Sequence, residues 1–82
     1  MEKRIGAALI LIENKESVGK LNQIISAYSG IILGRQGLPL RDKGFNIISL
    51  ILEGNIDDIN SLTGKIGRLE GIQVKSILTK YH

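Results

Sequence analysis

Side chains able to do chemistry are few in this chain. Its 82 residues contain no cysteine and a single histidine, His82, at the very end. That composition removes disulfides, thiolate metal sites and thiol nucleophiles together, and it leaves no histidine in the folded part to activate a serine. Asp57 and Asp58 are adjacent on a predicted helix, so their carboxylates diverge instead of facing one substrate. The residues therefore predict no catalytic centre, no metal site and no cofactor, and the chain reads as a non-enzyme with His82 as a tail.

What remains is cationic. "GRQGLPLRDKG", residues 34 to 44, sets Arg35, Arg41 and Lys43 among three glycines and one proline, between two stretches rich in isoleucine and leucine. One reading is a wet hairpin connection, in which Gly37 or Gly44 takes positive φ and Pro39 stiffens the turn. Another is a positive rim presented to an anionic effector or protein, since guanidinium groups suit carboxylate and phosphate. A third is contact between subunits. With eleven basic and eight acidic residues the net charge of +3 permits anionic partners without demanding them.

These residues need elements to position them. Residues 3 to 13, "KRIGAALILIE", are short, apolar on successive positions and bounded by charge, which predicts a buried strand. From Ser17 to Tyr28 the period changes: Val18, Leu21, Ile24, Ile25 and Tyr28 recur at three and four, with Ser17 as a cap and Gly30 as a left-handed stop. A short strand over 31 to 36, the basic connection, and the strand "FNIISLILE" over 45 to 53 follow. Asn55 then caps a second helix with Asp57 and Asp58 in its first turn. Ile56, Ile59, Leu62, Ile66 and Leu69 form its buried stripe, Lys65 and Arg68 lie toward its carboxyl end, and Gly71 terminates it. The last strand covers 72 to 79.

The order is βαββαβ. Right-handed crossovers and a hairpin between the second and third strands predict a ferredoxin-like α+β sandwich: a four-stranded antiparallel sheet, first and third strands central, both helices on one face. One domain spans residues 1 to 82. The central strands are apolar on both faces: Ile5, Ala7, Leu9 and Leu11 oppose Ala8, Ile10 and Ile12, and Phe45, Ile47 and Ile51 oppose Ile48, Leu50 and Leu52. With the helices on one face, the other is left open, and such a patch marks an interface. A homodimer or higher oligomer, up to a tetramer, is expected, with Ile10, Ile48 and Leu50 among the residues serving interface or packing. So small a domain gains from a partner, since folding buries only roughly 60% of the chain's surface at this size.

Three stretches carry a resemblance to a known family. "ENKESVGKLNQI" looks like the start of an ACT domain, where a strand ends in a polar turn and a helix begins with a small residue, an apolar one and then leucine. "LTGKIGRLEGIQVKSI" looks like that domain's second helix and last strand. With "GRQGLPLRDKG" and the strand after it, the whole chain resembles the small ACT-like family of iron-only hydrogenase system regulators. The resemblance implies a sensory module that associates through its sheet and binds a small effector, often an amino acid, near the turn between first strand and first helix. It draws attention to Asn14, Lys15 and Ser17, whose effector contact through side chains and helix-start amides stands beside a plain capping role for Ser17 and a solvated Lys15. Nickel-responsive repressors have a related fold, but their histidine and cysteine ligands are missing here.

Gly64 and Gly67 lie inside the second predicted helix, where each costs about 1 kcal/mol relative to alanine, so close packing on the sheet or another subunit is the expected reason. "GKIG" also matches the GxxG clamp of KH domains, though Ile66 continues the apolar stripe; a Walker loop is excluded because Ile66 follows Lys65 and Ile59 stands in place of the first glycine. A basic nucleic-acid-binding domain using Lys65, Arg68 and the 34 to 44 loop, and a purely structural assembly module, are the rival functions. No DNA-reading helix or output domain is evident, so regulation is expected to pass through a protein partner. Lys3 and Arg4 before an apolar run superficially resemble a signal peptide, but Glu13 to Glu16 follow without a cleavage pattern, and no run approaches the roughly 20 apolar residues of a membrane span. A cytoplasmic location is expected.

Overall fold

The computed structural model describes residues 2–80, and the predicted tail residue His82 lies outside them. Strand β1 (Arg4–Ile12) runs into a 3-10 turn (Lys15–Ser17) and helix α1 (Val18–Ala27). A second 3-10 turn (Ser29–Ile31) leads to β2 (Ile32–Leu40), then come β3 (Phe45–Gly54), α2 (Ile56–Gly67) and β4 (Ile72–Leu78). The strand order is β2-β3-β1-β4 with every pairing antiparallel, the expected ferredoxin-like arrangement with β1 and β3 central.

Alternation decides which side chains meet the helices. Ile10 lies opposite both Ile48 and Val74, so Ala8, Ile10 and Ile12 of β1, Ile48, Leu50 and Leu52 of β3, and Ile72 of β4 share one face. They bury against Leu21 and Ile25 of α1 and Ile59, Leu62 and Ile66 of α2. Each such side chain taken fully from water contributes about 1.5–3 kcal/mol, and this stripe-on-sheet contact is the main source of stability. The opposite face carries Ala7, Leu9, Leu11, Ile47, Ile51 and Ile77. Leu9, Ile51 and Ile77 remain 50%, 46% and 75% exposed. The open apolar face is thus real, but Ile10, Ile48 and Leu50 do not belong to it. Of the two roles expected for them, interface or packing, they serve packing beneath the helices, and their odd-numbered neighbours form the open surface.

Four local expectations are corrected. The stretch 34 to 40 is strand, not connection: β2 continues to Leu40, and only residues 41 to 44 turn. Glycine and proline are tolerated there because β2 is an edge strand whose outer side has no ladder to complete. In the turn, the Leu40 carbonyl accepts from Lys43 N (3.0 Å) and Gly44 N (3.1 Å), and Gly44, not Gly37, takes positive φ, at 78°. At the other end of the sheet, Gly30 has no positive φ, because α1 passes into the 3-10 turn instead of stopping on a left-handed residue. Ser17 holds the N-cap position of α1 but makes no capping bond with its side chain; Asn14 caps the 3-10 turn before it, its Oδ1 accepting from Glu16 N at 2.9 Å. Finally, α2 ends at Gly67, and Gly71 (φ 71°) bends the chain into β4. Asn55 does cap α2 as expected, its Oδ1 accepting from Asp58 N at 2.8 Å.

Candidate functional site

The corner where β1 gives way to α1 is stitched to the turn between α2 and β4. Glu13 N donates to the Gly71 carbonyl at 2.8 Å, and the Ser17 hydroxyl donates to the Glu70 carbonyl at 2.7 Å. Gly71 packs so closely on Asn14 that a Cβ there would overlap it. Ser17 is only 8% exposed. Asn14 and Ser17, expected as effector contacts or as caps, each have one polar atom engaged inside the chain: the amide oxygen of Asn14 accepts from Glu16 N, and the hydroxyl of Ser17 fastens the corner to Glu70.

Their work leaves Lys15 projecting at the outer side of the corner. The four-residue turn between β2 and β3 brings Arg41 to the same place, and the two cations border a pocket of about 160 Å³ with Ile12, Gly44, Phe45 and Asn46. A second cleft of about 280 Å³ adjoins it across Ile12 and Asn46. It runs between α1, through Val18 and Asn22, and the helix-side surface of β2 at Arg35, Gly37 and Pro39, with Ile48 in its floor. Arg35, Gly37 and Pro39 face the helix layer by register yet are exposed, because α1 does not reach over the edge strand. Among the described residues, the side chains of Lys15, Arg35 and Arg41 make no ion pair or hydrogen bond. Of the candidate cations, the structure thus gathers Lys15, Arg41 and Arg35 around joined clefts, while Lys43 is exposed in the turn and borders neither.

Asn22 and Asn46 were missed in the sequence. Asn46 had a signal: in the inward row Asn46, Ile48, Leu50, Leu52 it is the one polar residue. Asn22 had none, since a polar residue beside the apolar stripe of a helix is ordinary.

Elsewhere, Val74 Cγ1 lies 3.4 Å from where a Cβ on Gly67 would stand, an ordinary contact distance, and Gly64 meets nothing within 4 Å among the described residues. Lys65, one member of the rival nucleic-acid patch, sits 5.1 Å from the centroid of the Tyr28 ring, and the Tyr28 hydroxyl is 2.6 Å from Ser61 Oγ. The Lys65 ammonium, followed by the Ser61 hydroxyl, lowers the Tyr28 pKa below its ordinary 10.0. This cluster joins α1 to α2. No helix among the described residues is long and apolar enough to cross a membrane.

The fold is that of an ACT-like domain. The ACT domain of the GTP pyrophosphokinase of Chlorobium tepidum superposes with a TM-score of 0.73 at 19% identity, over 94% of this chain and 89% of that one. More narrowly, the chain belongs to the TM1266-like family, described as "Iron-only hydrogenase system regulator, putative", whose sequence model matches residues 4–76. The uncharacterized protein TM1266 of Thermotoga maritima is 32% identical and superposes with a TM-score of 0.91, over 96% of this chain and 100% of that one. A looser likeness in fold, TM-score 0.52 at 10% identity, extends to CPII, a nitrogen regulatory PII-like protein of Thiomonas intermedia K12 bound to ADP, AMP and bicarbonate; the match covers 96% of this chain and 99% of that one. Comparison with curated proteins gave no match.

Proposed function

We propose that this protein is a regulatory ACT-like module that binds a small anion at the Lys15–Arg41 pocket and assembles through the open face of its sheet. The observation that carries the reading is the convergence of two cations from distant parts of the chain on one concave surface with no acidic side chain in its lining. Lys15 comes from the β1–α1 connection and Arg41 from the β2–β3 turn, so an anion between them would tie together two segments remote in the chain. Ordering of that kind is how occupancy of a pocket becomes a change that a protein partner can sense. Family membership makes the iron-only hydrogenase system the expected setting for that partner.

A thermal-shift comparison of wild type with the double variant Lys15→Ala, Arg41→Ala tests the reading. Phosphate, sulfate, acetate and nucleotides are added at constant ionic strength, then again at high salt. A saturable rise in Tm for wild type alone is expected, since a ligand that prefers the folded state must stabilise it. Equal shifts in both proteins, or none in either, would refute the pocket. Stabilisation by oligonucleotides that collapses steeply with salt would instead favour a nucleic-acid role.

A further inference from the structure

The cleft between α1 and β2 extends the Lys15–Arg41 pocket with an apolar floor, and its chemistry specifies what lies there. Pro39 and Gly37 occupy successive helix-facing positions of β2, opposite Asn46 and Ile48. Neither sends a long side chain over the edge of the sheet. A Cβ built on Gly37 meets nothing within 4 Å, and the glycine does not have positive φ, so the space above it is unfilled and its backbone would accept a side chain. Val18, Ile12 and Ile48 present hydrocarbon to that space, and Asn22 and Asn46 supply neutral polar edges. The cations stand at the ends: Lys15 and Arg41 beside the turn, and Arg35 six residues before Arg41, roughly 20 Å away at the rise of a strand.

None of the residues bordering either cleft is acidic. A zwitterionic amino acid would bring an ammonium group into a site walled by cations and lacking a carboxylate to receive it, a like-charge contact that only the neutral amides of Asn22 and Asn46 could offset. A carboxylate without that ammonium has no such conflict. We infer that the joined clefts bind an apolar monocarboxylate lacking an amino group, with its head between Lys15 and Arg41 and its hydrocarbon tail along Ile12, Val18 and Ile48 over Gly37.

This inference rests on the anion pocket proposed above, and its test separates the two. Uniformly ¹⁵N-labelled protein is titrated with acetate, butyrate and hexanoate at fixed pH and ionic strength, and with norleucine as the zwitterion of hexanoate's length. Affinity is expected to rise about two- to fourfold for each added methylene that reaches the groove. Hexanoate should shift amide signals of Val18, Asn22 and Gly37 as well as those of Arg41 to Asn46, and norleucine should bind at least tenfold more weakly. Gly37→Leu fills the groove and is expected to cut hexanoate affinity to that of acetate while leaving acetate binding unchanged. The chain-length series in wild type stands without the variant, should it fold poorly. Equal affinity for acetate and hexanoate, or tighter binding of norleucine, overturns the assignment of the groove. If acetate itself binds and Lys15→Ala, Arg41→Ala abolishes it, the anion pocket survives that failure; if no carboxylate binds at all, both fall.

Discussion

The Ser17 hydroxyl donates across 2.7 Å to the carbonyl oxygen of Glu70, 53 positions away in the chain. The bond fastens the turn that opens α1 to the turn that follows α2, and Lys15 is held at the corner it secures. Ser17→Ala leaves that carbonyl without its partner at a site only 8% exposed. A loss of about 1–2 kcal/mol is expected. For a domain of this size about 1 kcal/mol corresponds to roughly 4–8 °C in Tm. Urea unfolding should show a lower midpoint with an unchanged slope; an unaltered midpoint would mean that Ser17 contributes nothing to the corner.

Two glycines should respond to alanine in opposite senses. At Gly71 the backbone has φ 71° and a new Cβ would overlap Asn14, so Gly71→Ala combines left-handed strain with a steric conflict. It should cost about 2 kcal/mol or more and loosen the Lys15 corner. Gly64 lies inside α2 with nothing within 4 Å of its missing side chain, so Gly64→Ala should stabilise by about 1 kcal/mol through helix propensity alone. Thermal unfolding of the two variants checks both signs. A destabilised Gly64→Ala would show that a neighbouring subunit packs on that face of α2.

These contrasts show where the sequence was readable. Burial leaves a periodic trace, so the apolar stripes of α1 and α2 and the two-sided pattern of β1 and β3 announced the ferredoxin-like topology. Edge position leaves none. Gly34, Gly37 and Pro39 carry turn propensity, yet β3 imposes extended backbone on them through its ladder, and the helix-side groove arises because that strand has no covering side chains. The site was legible only as residue types. Arg41 and Lys15 were visible as cations, but their meeting depends on how many residues form the turn after β2. Asn14 and Ser17 read as effector contacts or as caps, and what separates the two is not local: Ser17 bonds the Glu70 carbonyl, 53 positions away, while Asn14 caps Glu16 N and packs on Gly71.

Tyr28 provides a probe of the α1–α2 contact. Its pKa lies below 10.0, chiefly through the Lys65 ammonium and then through Ser61. Between that lowered value and 10.0 the folded chain holds fewer protons than the unfolded one, so this group's contribution to stability grows as pH rises through that interval. It is present above the unfolded value and lost as pH falls through the folded one. The chain has two tyrosines, and a Tyr81→Phe background leaves Tyr28 alone for spectrophotometric titration. Lys65→Met should move the phenol's midpoint upward. A midpoint indifferent to that substitution would place the ammonium elsewhere in solution.

The open face of the sheet makes the remaining prediction, and alternation supplies its internal control. Ile51 and Ala7 are directly paired, as are Ala7 and Ile77, so an apolar band crosses three strands, bordering a hollow of about 330 Å³ with Leu9. A second copy of the chain is the partner proposed for it, since a band of this kind is otherwise held in water. Ile51→Lys puts a charge on that band without touching the core: multi-angle light scattering should report a monomer, and circular dichroism an unchanged fold. Ile10→Lys, on the neighbouring strand but facing the helices with no exposure, should instead unfold the chain, because an unpaired ammonium cannot be accommodated there. If wild type and Ile51→Lys give the same mass at micromolar concentration, the sheet face is not the assembly surface.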